Sequence, residues 1–150
     1  MNKSLLALGF LLLSFPSYIG ANALINSNTP TPQECKVIRV VDGDTLEVPL
    51  SCLPRDMKLF VRVHGVDTPE KAPRAKCDAE AQLAAKASQH TVRLVSNANS
   101  VVVLSDPKWD KFGGRMLAKV TLGNTDLAKS LIDKRLARPY KGEAKQTWCR

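Results

Sequence analysis

The fold is decided by residues 35–50, which read CKVIRVVDGDTLEVPL. Residues 35–41 are rich in β-branched side chains, and residues 45–50 alternate apolar and polar side chains, as a half-buried strand does. Between them, the DGD of residues 42–44 has the composition of a tight turn. The stretch therefore predicts a β-hairpin at the start of the folded part of the chain.

The rest of the chain predicts three more strands and two helices. Short apolar runs bounded by turn residues predict strands at 58–66, 100–104 and 115–122. Apolar side chains recur every three or four residues in 78–96 and in 125–136, which predicts the two helices. An α+β, mainly β fold follows: a five-stranded OB-fold barrel with two main helices, for which a ferredoxin-like sandwich is the alternative.

The N-terminal segment predicts export. Lys3 precedes an apolar run at residues 5–15, and the ANA of residues 21–23 has the small side chains of a cleavage site. The run is too short to span about 30 Å of hydrocarbon, so a signal peptide is preferred to a membrane anchor. We expect a signal peptide at 1–23, a flexible leader at 24–34 and one domain at 35–150. The product would be secreted or periplasmic, with no membrane association after cleavage.

Composition narrows the class of protein. The chain has 150 residues, of which 44% are hydrophobic, so it can bury a core. This excludes a disordered chain, a collagen and a polytopic membrane protein. The net charge of +8 predicts an anionic partner, namely nucleic acid, anionic lipid or acidic glycan.

Four cysteines are present, without any Cys-x-x-Cys pair that would suggest a zinc module. In an oxidising compartment they would form disulfides. If the hairpin turns at residues 42–45, its centre at 43.5 is also the midpoint between Cys35 and Cys52, so a regular hairpin would bring the two cysteines face to face. We predict a Cys35–Cys52 disulfide, which leaves Cys77 and Cys149 to form the second one and to anchor the C-terminal tail.

Acidic residues cluster at the ends of predicted strands. Asp42 and Asp44 flank the turn glycine, and Asp67 and Glu70 flank the Thr-Pro of residues 68–69. Carboxylates brought together from separate strand ends form an oxygen-rich site suited to Ca²⁺ or Mg²⁺. Either motif taken singly is more often only a turn or a loop.

Two arginines accompany these acids. Arg62 lies in an apolar strand five residues before Asp67, and Arg115 follows the DKFGG of residues 110–114. A guanidinium in an apolar strand needs an anionic partner, because a buried unpaired charge is costly. That partner is either a structural carboxylate or a phosphate gripped by the planar guanidinium.

Three segments together resemble the thermonuclease (staphylococcal nuclease-like) family. They are residues 42–48 (DGDTLEV), 62–70 (RVHGVDTPE) and 110–118 (DKFGGRMLA). The resemblance implies an OB-type barrel and a Ca²⁺-dependent phosphodiesterase that cleaves DNA and RNA and leaves 3′-phosphate ends. The sequence departs from the family pattern at Phe112, where the family has Tyr, and by one extra glycine before Arg115.

The resemblance also implies a role for each motif residue. The metal would be bound by two carboxylates and a backbone carbonyl, with a further acid behind them. Two arginines would hold the scissile phosphate, a glutamate would be the general base, and three residues would contact the nucleotide. The metal ligands would be the carboxylates of Asp44 and Asp67 and the carbonyl of Thr68, with Asp42 behind them. The arginines would be Arg62 and Arg115, and the general base would be Glu70. The residues that contact the nucleotide would be Lys111, Phe112 and Tyr140. For Tyr140, a structural role on the barrel is the alternative to stacking on a base.

We therefore predict a secreted, monomeric Ca²⁺-dependent endonuclease acting on DNA and RNA. Few apolar residues are arranged to read sequence, so single strands or fraying ends should be preferred. One alternative is a non-catalytic OB-fold nucleic-acid-binding module, which would be expected to have lost metal or base positions. The other is a basic protein directed at acidic surfaces, which leaves the paired carboxylates unexplained.

Overall fold

The computed structural model describes residues 32–49, 58–111 and 113–149. The predicted signal peptide, most of the predicted leader, the segment containing Cys52, and Phe112 lie outside these ranges. In chain order the elements are β1 (Gln33–Lys36), β2 (Arg39–Asp42), β3 (Thr45–Pro49), β4 (Lys58–Val63), β5 (Val66–Asp67), α1 (Asp78–Asn97), β6 (Val101–Trp109), β7 (Arg115–Leu122), β8 (Thr125–Asp126), α2 (Leu127–Asp133) and β9 (Arg138–Pro139).

Most strands join one strongly curled sheet in the order β1-β6-β7-β4-β3-β2, with β8 attached to β7. Only two residues connect β1 to β2, so the first and last strands of this order lie next to each other and the sheet bends back on itself. Backbone hydrogen bonds at the junction run from Val37 N to Ser100 O and from Ile38 N to Glu47 O. The result, with two helices, is the predicted α+β architecture of the OB type.

The predicted strand at 35–41 is one point of difference. It divides at Val37 and Ile38 because its two halves pair with different neighbours, β1 with β6 and β2 with β3. The strand predicted at 58–66 likewise turns at residues 64–65 to give β4 and β5. The strand predicted at 100–104 instead continues to Trp109, through a register shift between Ser105 and Lys108 that accommodates the intervening proline.

Valine and leucine side chains of the strands form the core, together with the buried face of α2. Leu46, Val61 and Val120 are completely or almost completely buried, as are Leu127 and Leu131 of α2. The second helix is shorter than its predicted range of 125–136. It begins at Leu127 because Thr125 and Asp126 pair with β7 instead. The Asp126 side chain caps the helix by accepting a hydrogen bond from Lys129 N.

The first helix packs through small residues. Its buried stripe includes Ala84, Ala87 and Thr91, whereas the larger side chains of Leu83 and Leu94 are only half-buried. The helix therefore comes close to the turn at residues 42–44. Thr91 Oγ1 donates a hydrogen bond of 2.6 Å to Gly43 O, and a Cβ on Gly43 would lie 2.7 Å from the Cβ of Ala87.

The C-terminal tail has little regular structure apart from β9, which pairs with β5, and the predicted Cys77–Cys149 disulfide is present. Cys35 is buried, and its predicted partner Cys52 lies outside the described ranges, so that pairing stays a prediction. The leader ends earlier than the predicted residue 34, since β1 begins at Gln33. No helix in the part of the chain described is long and apolar enough to cross a membrane.

Replacing Gly43 by alanine should destabilise the protein by about 1–3 kcal/mol, because the new methyl group overlaps Ala87. Urea unfolding of Gly43→Ala, Ala87→Gly and the double variant measures this. Ala87→Gly alone should cost about 1 kcal/mol of helix stability. The double variant should be more stable than the sum of the single losses predicts; strict additivity would contradict the close packing of helix and turn.

Candidate active site

Four chain segments meet at one cleft of about 910 Å³: the turn between β2 and β3, the end of β4 with the following loop, the turn between β6 and β7, and the tail. The parallel pairing of β4 with β7 brings two of them together. Phe60 lies opposite Arg115 in that pair, and Arg62 lies two residues further along β4. Because strand side chains alternate with period two, the two arginines project from the same face.

Eight of the ten sequence-predicted site residues line this cleft. They are Asp42, Asp44, Arg62, Thr68, Glu70, Lys111, Arg115 and Tyr140. Asp67 lies beside them, within 3.5 Å of Arg62 Nη2, and Phe112 is outside the described ranges. Residues up to 98 positions apart in the chain thus come together.

Asp44 is the most deeply buried acid of the site, with 2% of its surface exposed. Its Oδ1 accepts from Arg62 Nη1 at 3.0 Å and its Oδ2 from Thr68 N at 3.1 Å. Burial raises the pKa of Asp44 to about 6; the Arg62 charge opposes the rise and the neighbouring carboxylate of Asp42 adds to it. Its ionised form therefore needs more positive charge than Arg62 alone supplies.

Arg62 holds the two proposed metal carboxylates together. One nitrogen contacts Asp44 and the other lies 3.5 Å from Asp67 Oδ1 and donates to Val66 O at 3.1 Å. This guanidinium has a structural partner on each side, and it still lines the cleft. From this position Arg62 can both pair with the two carboxylates and reach a phosphate in the cleft.

Arg115 is oriented by the turn that precedes it. Its Nε donates to Asp110 Oδ2, and Asp110 N donates to Arg115 O. The turn includes Gly114 at φ +74°, a conformation that glycine adopts readily. The extra glycine is therefore absorbed in the turn, and Arg115 lines the cleft with Lys111.

The carboxylate of Glu70 is held by two cationic side chains. Its carboxylate accepts from Lys145 Nζ and from Arg74 Nε, both at 2.9 Å. Partial burial would raise the pKa of Glu70, but the hydrogen bonds and charges of these two residues outweigh it and lower the pKa. Glu70 is therefore ionised at neutral pH, as a proton acceptor must be.

Glu80 is a site residue that the sequence analysis did not identify. It is 4% exposed, and its carboxylate accepts from Glu70 N at 3.2 Å and from Lys76 N at 2.7 Å. It thereby fixes the loop that carries Glu70. One signal was available: Glu80 lies four residues before Ala84, on the buried stripe of α1.

The donor set fits a hard divalent cation. Asp42, Asp44 and Asp67 supply carboxylate oxygens, and Asp42 Oδ1 is buried without a hydrogen-bond partner among the described residues. A second group of potential ligands, Cys77, Glu80 and Cys149, is unsuited to a metal because both cysteines are in the disulfide. The acidic end of the cleft is therefore the candidate metal site.

The pKa of Asp44 gives a pH-dependent stability. A carboxyl whose pKa rises from 3.8 to about 6 on folding makes the metal-free protein less stable as pH rises through that window, by about 3 kcal/mol at neutral pH. Asp44→Asn should remove this decrease in stability, because asparagine does not ionise. In chelator, urea unfolding should give similar stabilities near pH 4, and the variant should be the more stable protein at pH 7.5. An equal stability difference at both pH values would contradict the assigned pKa.

Comparison with known proteins agrees with the geometry. Residues 60–148 match the family described as staphylococcal nuclease homologue, whereas no curated protein matches the chain. The match covers more than half of the chain and includes both arginines, Asp67 and Glu70. The chain therefore belongs to the staphylococcal nuclease homologue family.

Proposed function

We propose that this protein is a metal-dependent nuclease that hydrolyses phosphodiester bonds in DNA and RNA, with Ca²⁺ as the metal. The observation that carries the proposal is the convergence of three acids, two arginines and an ionised glutamate on one cleft, in a chain of this family. A binding module would need the basic surface, but it would not need this arrangement of acids.

The metal would be held by the carboxylates of Asp44 and Asp67 and the backbone carbonyl of Thr68, with Asp42 behind them. When bound, the cation would supply positive charge to a phosphate oxygen and help to orient a water molecule. A Ca²⁺ ion suits this set because all the proposed ligand atoms are oxygens. It would also offset the burial that raises the pKa of Asp44.

The two arginines would bind the scissile phosphate. Both project from the same face of the β4–β7 pair, and planar guanidinium groups match the non-bridging oxygens. In the transition state the attacking and leaving oxygens are in line, and negative charge is spread over the phosphate oxygens. Cations already fixed in place stabilise this transition state without having to rearrange. Arg115 would also assist the departing 5′ oxygen, leaving a 3′-phosphate end.

Glu70 would accept the proton of the attacking water. Its ionised state is ensured by Lys145 and Arg74, and its backbone is fixed by Glu80. A base held in one orientation reduces the entropy lost on reaching the reactive geometry. The site therefore has an acceptor, a phosphate clamp and a metal-binding end within one cleft.

The substrate would be drawn in by charge. The net charge of +8 favours a polyanion, and affinity should fall as salt rises. Lys111 and Tyr140 line the cleft and would contact the nucleotide, which suits single strands or fraying ends. We further propose that a signal peptide at 1–23 exports the protein to the periplasm or the medium, where it acts as a monomer.

Nuclease activity can be tested on denatured DNA and on RNA with Ca²⁺ and then with excess chelator. Cleavage should occur and should stop on chelation. Glu70→Gln and Arg115→Lys should each lower kcat by roughly 100-fold or more, because the proton acceptor or the planar fork is lost. Lys129→Gln is a control, since this exposed lysine pairs with Asp133 on α2.

Two outcomes would overturn parts of the proposal. Salt-sensitive binding of DNA without any cleavage would favour a non-catalytic OB-fold module. Cleavage that continues in chelator would exclude the metal assignment, even if both variants were inactive.

A further inference from the structure

The tail after β9 forms a strap across the edge of the cleft, defined here as residues 141–149. Its beginning is fixed where Tyr140 N donates to Gly65 O at 2.9 Å, beside the pairing of β9 with β5. Its end is fixed by the Cys77–Cys149 disulfide at the start of α1. The strap is therefore fixed at both of its ends.

The strap contributes little to the core. Residues 141–147 are all exposed, and the Trp148 ring that follows them lies against the Arg138 guanidinium, 3.8 Å from the ring centre. Arg138 also donates to Thr147 O at 3.0 Å. The disulfide therefore fixes a mostly exposed segment that lies beside the cleft.

Lys145 is what the strap presents. Its Nζ lies 2.7 Å from Asp67 Oδ1 and 2.9 Å from Glu70 Oε1. One ammonium group thus bridges the proposed metal carboxylate and the proposed general base. The other cation on Glu70, Arg74, has a side chain that is 65% exposed against 44% for Lys145, so solvent weakens its hold more.

We propose that Lys145 is a positioning residue of the active site, presented by the strap and kept in register by the Cys77–Cys149 disulfide. It would hold Glu70 in one orientation and offset the repulsion between Glu70 and Asp67, two like charges that share the same ammonium. This inference rests on the proposed nuclease function.

The test compares Lys145→Gln and Lys145→Arg with the parent protein at saturating Ca²⁺, with kcat and KM measured separately on a single-stranded oligonucleotide. Lys145→Gln should lower kcat by about 10- to 100-fold and change KM by less than about 3-fold, because orientation rather than substrate binding is lost. Lys145→Arg should recover at least several-fold of the loss. Lys129→Gln, which removes another lysine paired with a carboxylate, should leave both constants unchanged.

The disulfide is tested in the same assay with Cys77→Ser/Cys149→Ser, with and without Lys145→Gln. Without the disulfide kcat should fall, and Lys145→Gln should then have a smaller effect than in the parent. Near-UV circular dichroism and the melting temperature establish that the variants are folded. Since Lys145→Gln leaves the crosslink intact, its result stands even if the disulfide variant unfolds.

The outcomes separate the hypotheses. If the parent cleaves and Lys145→Gln is equally fast, Lys145 has no positioning role. If Lys145→Gln is faster, Lys145 competes with the metal for Asp67, and the positioning role is wrong. An equal effect of Lys145→Gln with and without the disulfide would overturn the role of the strap. Failure of the parent to cleave any substrate would overturn the proposed function and this inference with it.

Discussion

The site depends on one guanidinium that is shared by two buried carboxylates. Arg62 contacts Asp44 and lies 3.5 Å from Asp67, and both acids are nearly inaccessible to solvent. Removing such a cation would leave like charges facing each other in a poorly hydrated place, where repulsion is only weakly screened. Arg62 on this strand, together with Lys145 beside Asp67, therefore allows the two acids to lie close together.

The fold supplies the remaining constraints by long-range pairing. The parallel alignment of β4 with β7 places Arg115 on the same face as Arg62. A buried glutamate in the first turn of α1 fixes the loop of Glu70 through its backbone. The first of these contacts joins distant strands and the second joins the Glu70 loop to α1, so the cleft forms only when the barrel and the first helix are assembled together.

Much of this could be predicted from sequence because the signals were local. The apolar run of β7 was predicted with its observed bounds, and α1 was predicted to within one residue of its end. The division of the first strand was missed, since it arises from a choice between two partner strands that periodicity cannot show. Lys145 was missed for a similar reason: nothing near it in the sequence marks it, and its position depends on the tail being returned to the cleft.

The small-residue contact between α1 and the acidic turn makes the two a single mechanical unit. With Gly43 against Ala87 and Thr91 bonded to the Gly43 carbonyl, the turn has no room to shift on its own. The same helix contacts α2 through His90 and Ser130, whose side-chain atoms lie 2.8 Å apart. The acidic turn can therefore move only together with α1, so its position is set by how this helix packs on the sheet and on α2.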